Sequence, residues 1–95
     1  MSRWDTVVDI RDNITGGQIV EQLNQDDADE SNILTFSANI NAVEIYHNES
    51  SMQTFIVNGI SLDIAGGGWR SRVGGTPSNE VTIPAGINCT VARLI

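Results

Sequence analysis

Apolar and polar residues alternate along most of the chain after Ile33, which is the pattern of half-buried β-strands. Residues 34–40 place Leu, Phe, Ala and Ile at every second position, and Val43 and Ile45 continue in the opposite phase. Because one face of a strand carries every second side chain, the change of phase near Asn41 predicts a β-bulge or a separate strand there.

The clearest local signal is a hairpin centred on Asn58 and Gly59. The apolar segment 55–57 precedes this pair, and the alternating segment 60–64 follows it. Both turn residues tolerate the positive φ angles of a type I′ turn, and Asn-Gly between alternating runs is the strongest short-range hairpin cue. We therefore expect two antiparallel strands here.

Three more short strands are expected beyond the hairpin. They are residues 69–73, residues 81–83 before Pro84, and a last strand on which Ile87, Cys89, Val91 and Arg93 alternate. About six to seven short strands at regular spacing favour an all-β fold, an antiparallel sandwich or barrel. Twelve Ile, eight Val and seven Thr support this, because β-branched side chains pack well on a pleated sheet.

The first 32 residues lack this regular alternation. Their apolar residues fit short strands or an extended arm, and Ile19, Val20 and Leu23 are compatible with a single helical turn after Gly17. Residues 24–32 are polar and strongly acidic, which is typical of an exposed loop. We therefore expect an N-terminal arm with an acidic loop over residues 1–32 and the β-domain over residues 33–95.

The charge balance is strongly acidic. Seven Asp and five Glu face five Arg and no Lys, for a formal charge of −7. Nucleic-acid binding needs clustered cations, and docking on an anionic membrane needs them as well, so neither partner is expected. Eight of the twelve acids lie in the first 32 residues, whereas the chain from residue 51 carries three arginines and two acids. This asymmetry predicts a head-to-tail electrostatic contact between adjacent subunits.

The chain has a single cysteine, Cys89, so no disulfide can form within it. No apolar run approaches the roughly 18 residues of a membrane span, and residues 1–5 lack the apolar stretch of a signal peptide. The simplest expectation is a soluble protein made in a reducing cytosol.

Few residues suggest catalysis or metal binding. A nucleophilic pair would need Cys89 with the only histidine, His47, yet the apolar alternation around Cys89 favours a buried, inert thiol. One His and one Cys cannot complete a tetrahedral zinc site. The acidic residues 26–30 offer oxygen ligands without the EF-hand pattern, so a solvated run of charges is the better interpretation and a calcium ion shared between subunits is the alternative. We expect no enzyme, no cofactor and no metal.

Two glycine runs, at residues 66–68 and 74–75, flank Arg70 and Arg72. They match no phosphate-binding loop, because such a loop needs a following Lys. Flexible hairpin connections are the better interpretation.

Tryptophan and arginine are enriched at the energetic centres of protein interfaces. One candidate contact is an apolar arm inserted into a neighbour, made of Trp4, Val7, Val8 and Ile10, although Trp4 could instead cap the end of its own barrel. The other candidate contact is made of Trp69, Arg70 and Arg72.

Residues 42–95 resemble small β-sandwich structural proteins of tailed bacteriophage virions. The resemblance lies in residues 43–48 (VEIYHN), 55–60 (FIVNGI), 81–86 (VTIPAG) and 91–94 (VARL). It implies a non-enzymatic subunit present in many symmetric copies, either decorating a capsid or forming part of a neck, tail or fibre.

The prediction is thus a structural virion protein that forms a homo-oligomer on a major capsid protein or another virion protein, after synthesis in the host cytoplasm. Its acidity favours the outer surface over the DNA-filled lumen. One alternative is a small binding module for a carbohydrate or host-surface ligand, with Trp69 and Tyr46 as a stacking platform. A second alternative is a cysteine-dependent enzyme.

Overall fold

The computed structural model describes residues 17–30 and 32–95, which form eight β-strands. The strands are β1 (Ile19–Gln25), β2 (Ile33–Thr35), β3 (Ala42–His47), β4 (Gln53–Val57), β5 (Ile60–Ile64), β6 (Gly67–Arg72), β7 (Glu80–Thr82) and β8 (Cys89–Leu94). No helix occurs in this part of the chain, and hence none long and apolar enough to cross a bilayer.

The strands form two antiparallel four-stranded sheets. The first sheet has the order β1-β8-β3-β6 and the second has the order β2-β7-β4-β5. The chain passes from one sheet to the other at every connection except the β4-β5 hairpin. This winding of eight strands in two sheets is that of a jelly roll. The expected all-β sandwich is confirmed, with eight strands in the described residues where six to seven were predicted.

The core lies between the inner faces of the two sheets. It is made of alternate strand residues together with apolar residues from the connections: Phe36, Ile40, Val43, Ile45, Phe55, Val57, Ile64, Val81, Ile83, Ile87, Cys89 and Val91. Burial of each Val, Ile or Phe contributes about 1.5–3 kcal/mol relative to exposure. The alternation in the sequence therefore reports which side of each strand faces the other sheet.

The predicted hairpin is confirmed. Asn58 and Gly59 have φ angles of 54° and 78°, and the strands pair from Gln53 opposite Ile64 to Val57 opposite Ile60. The buried Asn58 side chain also donates to the carbonyls of Ile40 (2.8 Å) and Gly74 (3.0 Å). The turn therefore holds two distant loops as well as its own hairpin.

Residues 19–25 form an edge strand of the first sheet, so the short-strand alternative is correct for this segment and the helical turn is wrong. Strand β1 pairs with β8 from Ile19 opposite Leu94 to Gln25 opposite Cys89, with a register shift between Ile19 and Glu21. That irregularity breaks the period-two pattern that would identify a strand. The sandwich thus includes residues that precede the predicted boundary at 33. Trp4, Val7, Val8 and Ile10 lie outside the described residues.

The alternating run 34–40 is one strand followed by a crossing segment, where a single continuous strand was predicted. Strand β2 ends at Thr35, and the chain then bends and crosses to the first sheet, where β3 starts at Ala42. Residues of the crossing segment bind the loop before β7, since the amides of Phe36 and Ile40 donate to the carbonyls of Asn79 and Ser78. The change of phase near Asn41 therefore marks a separate strand, as expected.

Candidate binding surface on the first sheet

The predicted interface of Trp69, Arg70 and Arg72 falls on strand β6, and its residues lie on opposite faces of that strand. Trp69 pairs with Ile45 of β3, is partly buried and packs against the core. Arg70 pairs with Glu44 and belongs to the opposite face of the strand, as does Arg72. Because successive side chains point to opposite faces, Trp69 does not share a surface with the two arginines.

Arg70 is held on the outer face of the first sheet by hydrogen bonds to Glu44 and Gly17. Its Nε and Nη2 donate to Oε1 of Glu44 at 3.1 and 2.9 Å, and its Nη1 donates to the carbonyl of Gly17 at 2.7 Å. Arg93 pairs with Glu21 at 3.3 Å. Two arginines of the basic half are thus engaged within the chain, and the head-to-tail contact predicted between subunits would have to compete with these bonds.

His47 and Cys89 lie directly opposite each other on β3 and β8, and both are buried. The imidazole Nε2 lies 2.6 Å from the carbonyl oxygen of Ile64, and Nδ1 accepts a hydrogen bond from the amide of Glu49. Burial raises the pKa of the Cys89 thiol to about 11. An activated thiol has the opposite shift and a base with a free nitrogen, so this neighbourhood is that of a core thiol. The described residues contain no group of three side chains suited to hold a metal ion.

The outer face of the first sheet presents an exposed aromatic ring. Tyr46 is 49% exposed and pairs with Thr90 of β8 on one side and Gly68 of β6 on the other. A Cβ built on Gly68 meets no atom within 4 Å, so the space beside Tyr46 is open.

The glycine run was expected to be a flexible connection, but Gly67 and Gly68 lie within β6. Gly66 has a different role, because a Cβ there would lie 2.7 Å from the carbonyl oxygen of Glu49. Gly66 thus allows the backbone to approach Glu49 closely, whereas Gly67 and Gly68 leave the start of β6 without side chains.

Tyr46 borders an open depression of about 540 Å³ on this face. Most of the lining side chains are amides and hydroxyls. The described residues that line the depression are Gln22, Asn24, Gln25, Asp26, Tyr46, Asn48, Asn88, Cys89 and Thr90. Asp26 is the one carboxylate in that lining. The surface is therefore polar but almost free of charge.

Two of the lining amides have a fixed orientation. The Oδ1 atom of Asn24 accepts from Oγ1 of Thr90 at 2.9 Å, and Oδ1 of Asn88 accepts from the amide of Asp27 at 2.8 Å. With both oxygens engaged, the amide nitrogens of Asn24 and Asn88 remain as donors. Beneath them the Nε2 of buried Gln25 donates to the carbonyls of two residues of the β7-β8 connection, while its Oε1 has no partner among the described residues.

The carbohydrate platform predicted from Trp69 and Tyr46 together is not formed, because the two rings lie on opposite faces of the first sheet. Sequence reasoning also missed the amides of Asn24 and Asn88. Neither belongs to a motif, and only the pairing of β1 with β8 brings them beside Tyr46.

Comparison of the chain with protein-family models, with curated proteins and with solved structures finds no match.

Proposed function

We propose that the chain is a non-enzymatic structural subunit of a virus particle, present in multiple copies on a larger coat protein. The observation that carries this proposal is an uncharged row across the outer face of the second sheet. Ile33, Thr82 and Ile56 pair in register on three neighbouring strands, and the two isoleucines are 44% and 36% exposed. Depletion of charge at the centre of a surface patch is characteristic of protein interfaces.

The fold is compatible with this role. Jelly rolls occur in viral capsid proteins, and also in lectins and cupins, so the strand order alone does not decide between functions. The row from Ile33 to Ile56 favours packing against another protein, because its three side chains are β-branched and two of them are exposed and apolar.

Charge supports a position on the outside of the particle. The net charge of −7 is repelled by packaged nucleic acid, and the acidic loop over residues 26–30 is exposed. A neck, tail or fibre component would use the same surface in a different copy number.

The proposal is tested by measuring copies of the chain per particle. Purified particles from the source are digested with trypsin, and the peptide 73–93, which lies between two arginine cleavage sites, is quantified against an isotope-labelled standard. A constant ratio to the coat protein with many copies per particle is the expected result. A few copies per particle supports the neck, tail or fibre alternative, and absence from purified particles refutes the proposal.

Substitutions then test the surface. Tagged variants are expressed during infection, and their incorporation into particles is compared. Because Ile56 is exposed, Ile56→Asp should leave the monomer folded yet reduce incorporation at least about tenfold, the effect of losing one apolar anchor. Gln22→Glu adds a negative charge at an exposed position of the first sheet, away from the row, and is the control. Wild-type incorporation of both variants would assign the contact elsewhere, and deletion of residues 1–12 then tests the predicted arm.

A further inference from the structure

We propose that the depression on the outer face of the first sheet binds an uncharged carbohydrate, with Tyr46 as the stacking ring. The proposal goes beyond the structural role and does not depend on it, because the two surfaces lie on different sheets. It rests on the ring, the oriented amides and the near absence of charge, taken in turn.

The ring of Tyr46 has the exposure that stacking requires. It is about half exposed, and its neighbour across the β3-β6 pair is Gly68, at which even an added Cβ would touch nothing. The apolar face of a sugar ring can therefore approach the aromatic face without meeting a side chain of β6. Aromatic side chains combine such an apolar surface with a polar tip.

The amides supply the polar contacts beside that ring. A sugar hydroxyl both donates and accepts, so it matches surfaces that offer donors and acceptors close together. The nitrogens of Asn24 and Asn88 are donors, because their oxygens are engaged. Thr90 donates its hydroxyl hydrogen to Asn24 and so retains acceptor capacity. The depression is more polar than most small-ligand sites, as suits a ligand rich in hydroxyls, and about 540 Å³ lies within their usual volume.

Charge selects neutral ligands over acidic ones. Among the residues that the structure describes, the lining contains Asp26 and no cation, and the nearby Arg70 is bonded to Glu44 and Gly17. An anionic sugar would meet a carboxylate on a protein of charge −7. A sialylated, sulfated or phosphorylated glycan is therefore disfavoured, whereas a neutral hexose polymer meets no such repulsion.

The first experiment is an NMR titration of the isotope-labelled full chain. The neutral probes are maltohexaose, cellohexaose, mannohexaose and chitohexaose, and the acidic probes are sialyllactose and oligogalacturonate. At least one neutral probe should shift the side-chain amide signals of Asn24 and Asn88 and the backbone signals of Tyr46 and Gly68. The absence of any shift at about 10 mM of each neutral probe would mean a dissociation constant above that of ordinary specific binding. That result overturns the proposal. Shifts confined to the second sheet overturn it as well.

Variants then separate stacking from a general change in structure. Tyr46→Ala should weaken binding about tenfold or more, whereas Tyr46→Phe retains the ring and most of the affinity. Gly68→Val places a branched side chain beside the ring on the side of β6 and should also weaken binding. The matched control is Gly74→Val, since an added Cβ is equally unobstructed there and Gly74 does not pair with Tyr46. Unchanged affinity in Tyr46→Ala refutes the role of the ring. None of these results bears on the copy number in particles, so each proposal can fail separately.

Discussion

The imidazole Nε2 of His47 lies 2.6 Å from the carbonyl oxygen of Ile64, so a side chain of the first sheet hydrogen-bonds to the backbone of the second. The ring also stacks on Phe55, with the ring centroids 6.0 Å apart. Nε2 donates to Ile64 while Nδ1 accepts from the amide of Glu49, which fixes one neutral tautomer. His47 is therefore a polar link through an otherwise apolar core.

Replacing His47 by Ala should destabilise the protein by about 3–5 kcal/mol. The change leaves a buried carbonyl without its donor and opens a cavity beside Phe55. The free energy of unfolding is measured by urea titration, with Asn48→Ala at the neighbouring exposed position as control. A loss below about 1 kcal/mol would show that the link contributes little.

Asn58 is expected to stabilise the fold through its side chain as well as its backbone. Asn58→Gly keeps the positive φ angle but removes the donors to Ile40 and Gly74 and the acceptor for the amide of Ser78. The loss of these contacts in a buried position should cost about 2–3 kcal/mol.

Asn58→Ala should cost more than Asn58→Gly, because Ala adds the strain of a positive φ angle. The unfolding free energies of the two variants, compared in the same urea titration, test this order. The reverse order would contradict the strain assigned to the positive φ angle, and a cost below about 1 kcal/mol in both variants would contradict the role of the side chain.

Stability should fall in acid partly through Glu21. The amide and hydroxyl of Ser37 donate to its carboxylate, and with Arg93 they hold the pKa of Glu21 below its usual range. A carboxyl whose pKa is lowered by folding contributes stability above its unfolded pKa of about 4.3, and that contribution is lost as the pH falls through the lower folded value.

The difference in unfolding free energy between wild type and Glu21→Gln should therefore be largest near neutral pH and shrink below about pH 4. Urea titrations across this range measure it. Glu80→Gln, at an exposed position of β7, is the control variant. A difference that does not change with pH would contradict the assignment.

The thiol of Cys89 should react slowly in the native protein. With a pKa of about 11, about one thiol in a thousand is ionised at pH 8, and the thiolate is the reactive form. Labelling with iodoacetamide, followed by mass spectrometry, should be slow in buffer and rapid in concentrated urea. Rapid native labelling would revive the hypothesis of a cysteine-dependent enzyme.

The sequence predicted the structure correctly where neighbouring residues alone determine the backbone conformation. Asn58 and Gly59 specify their own turn, so the hairpin was found correctly. Strand β1 could not be distinguished in the sequence from an extended arm or a helical turn, because its register shift near Ile19 and its position at the sheet edge leave no clean alternation. Likewise, Phe36 and Ile40 alternate as a strand would, but their amides bind the loop at Ser78 and Asn79, and no local pattern reports such a distant contact.

The candidate site was harder to predict from the sequence than the fold. Tyr46 and Gly68 are 22 positions apart in the sequence and become neighbours only through the register of β3 with β6. The glycine run is ambiguous by itself, since a flexible loop and a bare strand have the same composition. Trp69 carried the strongest compositional signal for a binding surface, yet the alternation of β6 turns it toward the core.

The turn that specifies the hairpin also carries a chemical liability. In an unfolded chain, the backbone nitrogen of the glycine in an Asn-Gly pair can attack the Asn side-chain carbonyl and expel ammonia, because glycine offers no steric protection. Water then opens the succinimide ring to give aspartate or isoaspartate. In the folded protein three hydrogen bonds fix the amide of Asn58. Each unfolding event releases it, and the aspartate formed in its place would lack the donors for Ile40 and Gly74. Long-term storage would thus convert reversible unfolding into permanent loss of refolding capacity, at a rate set by how often this turn opens.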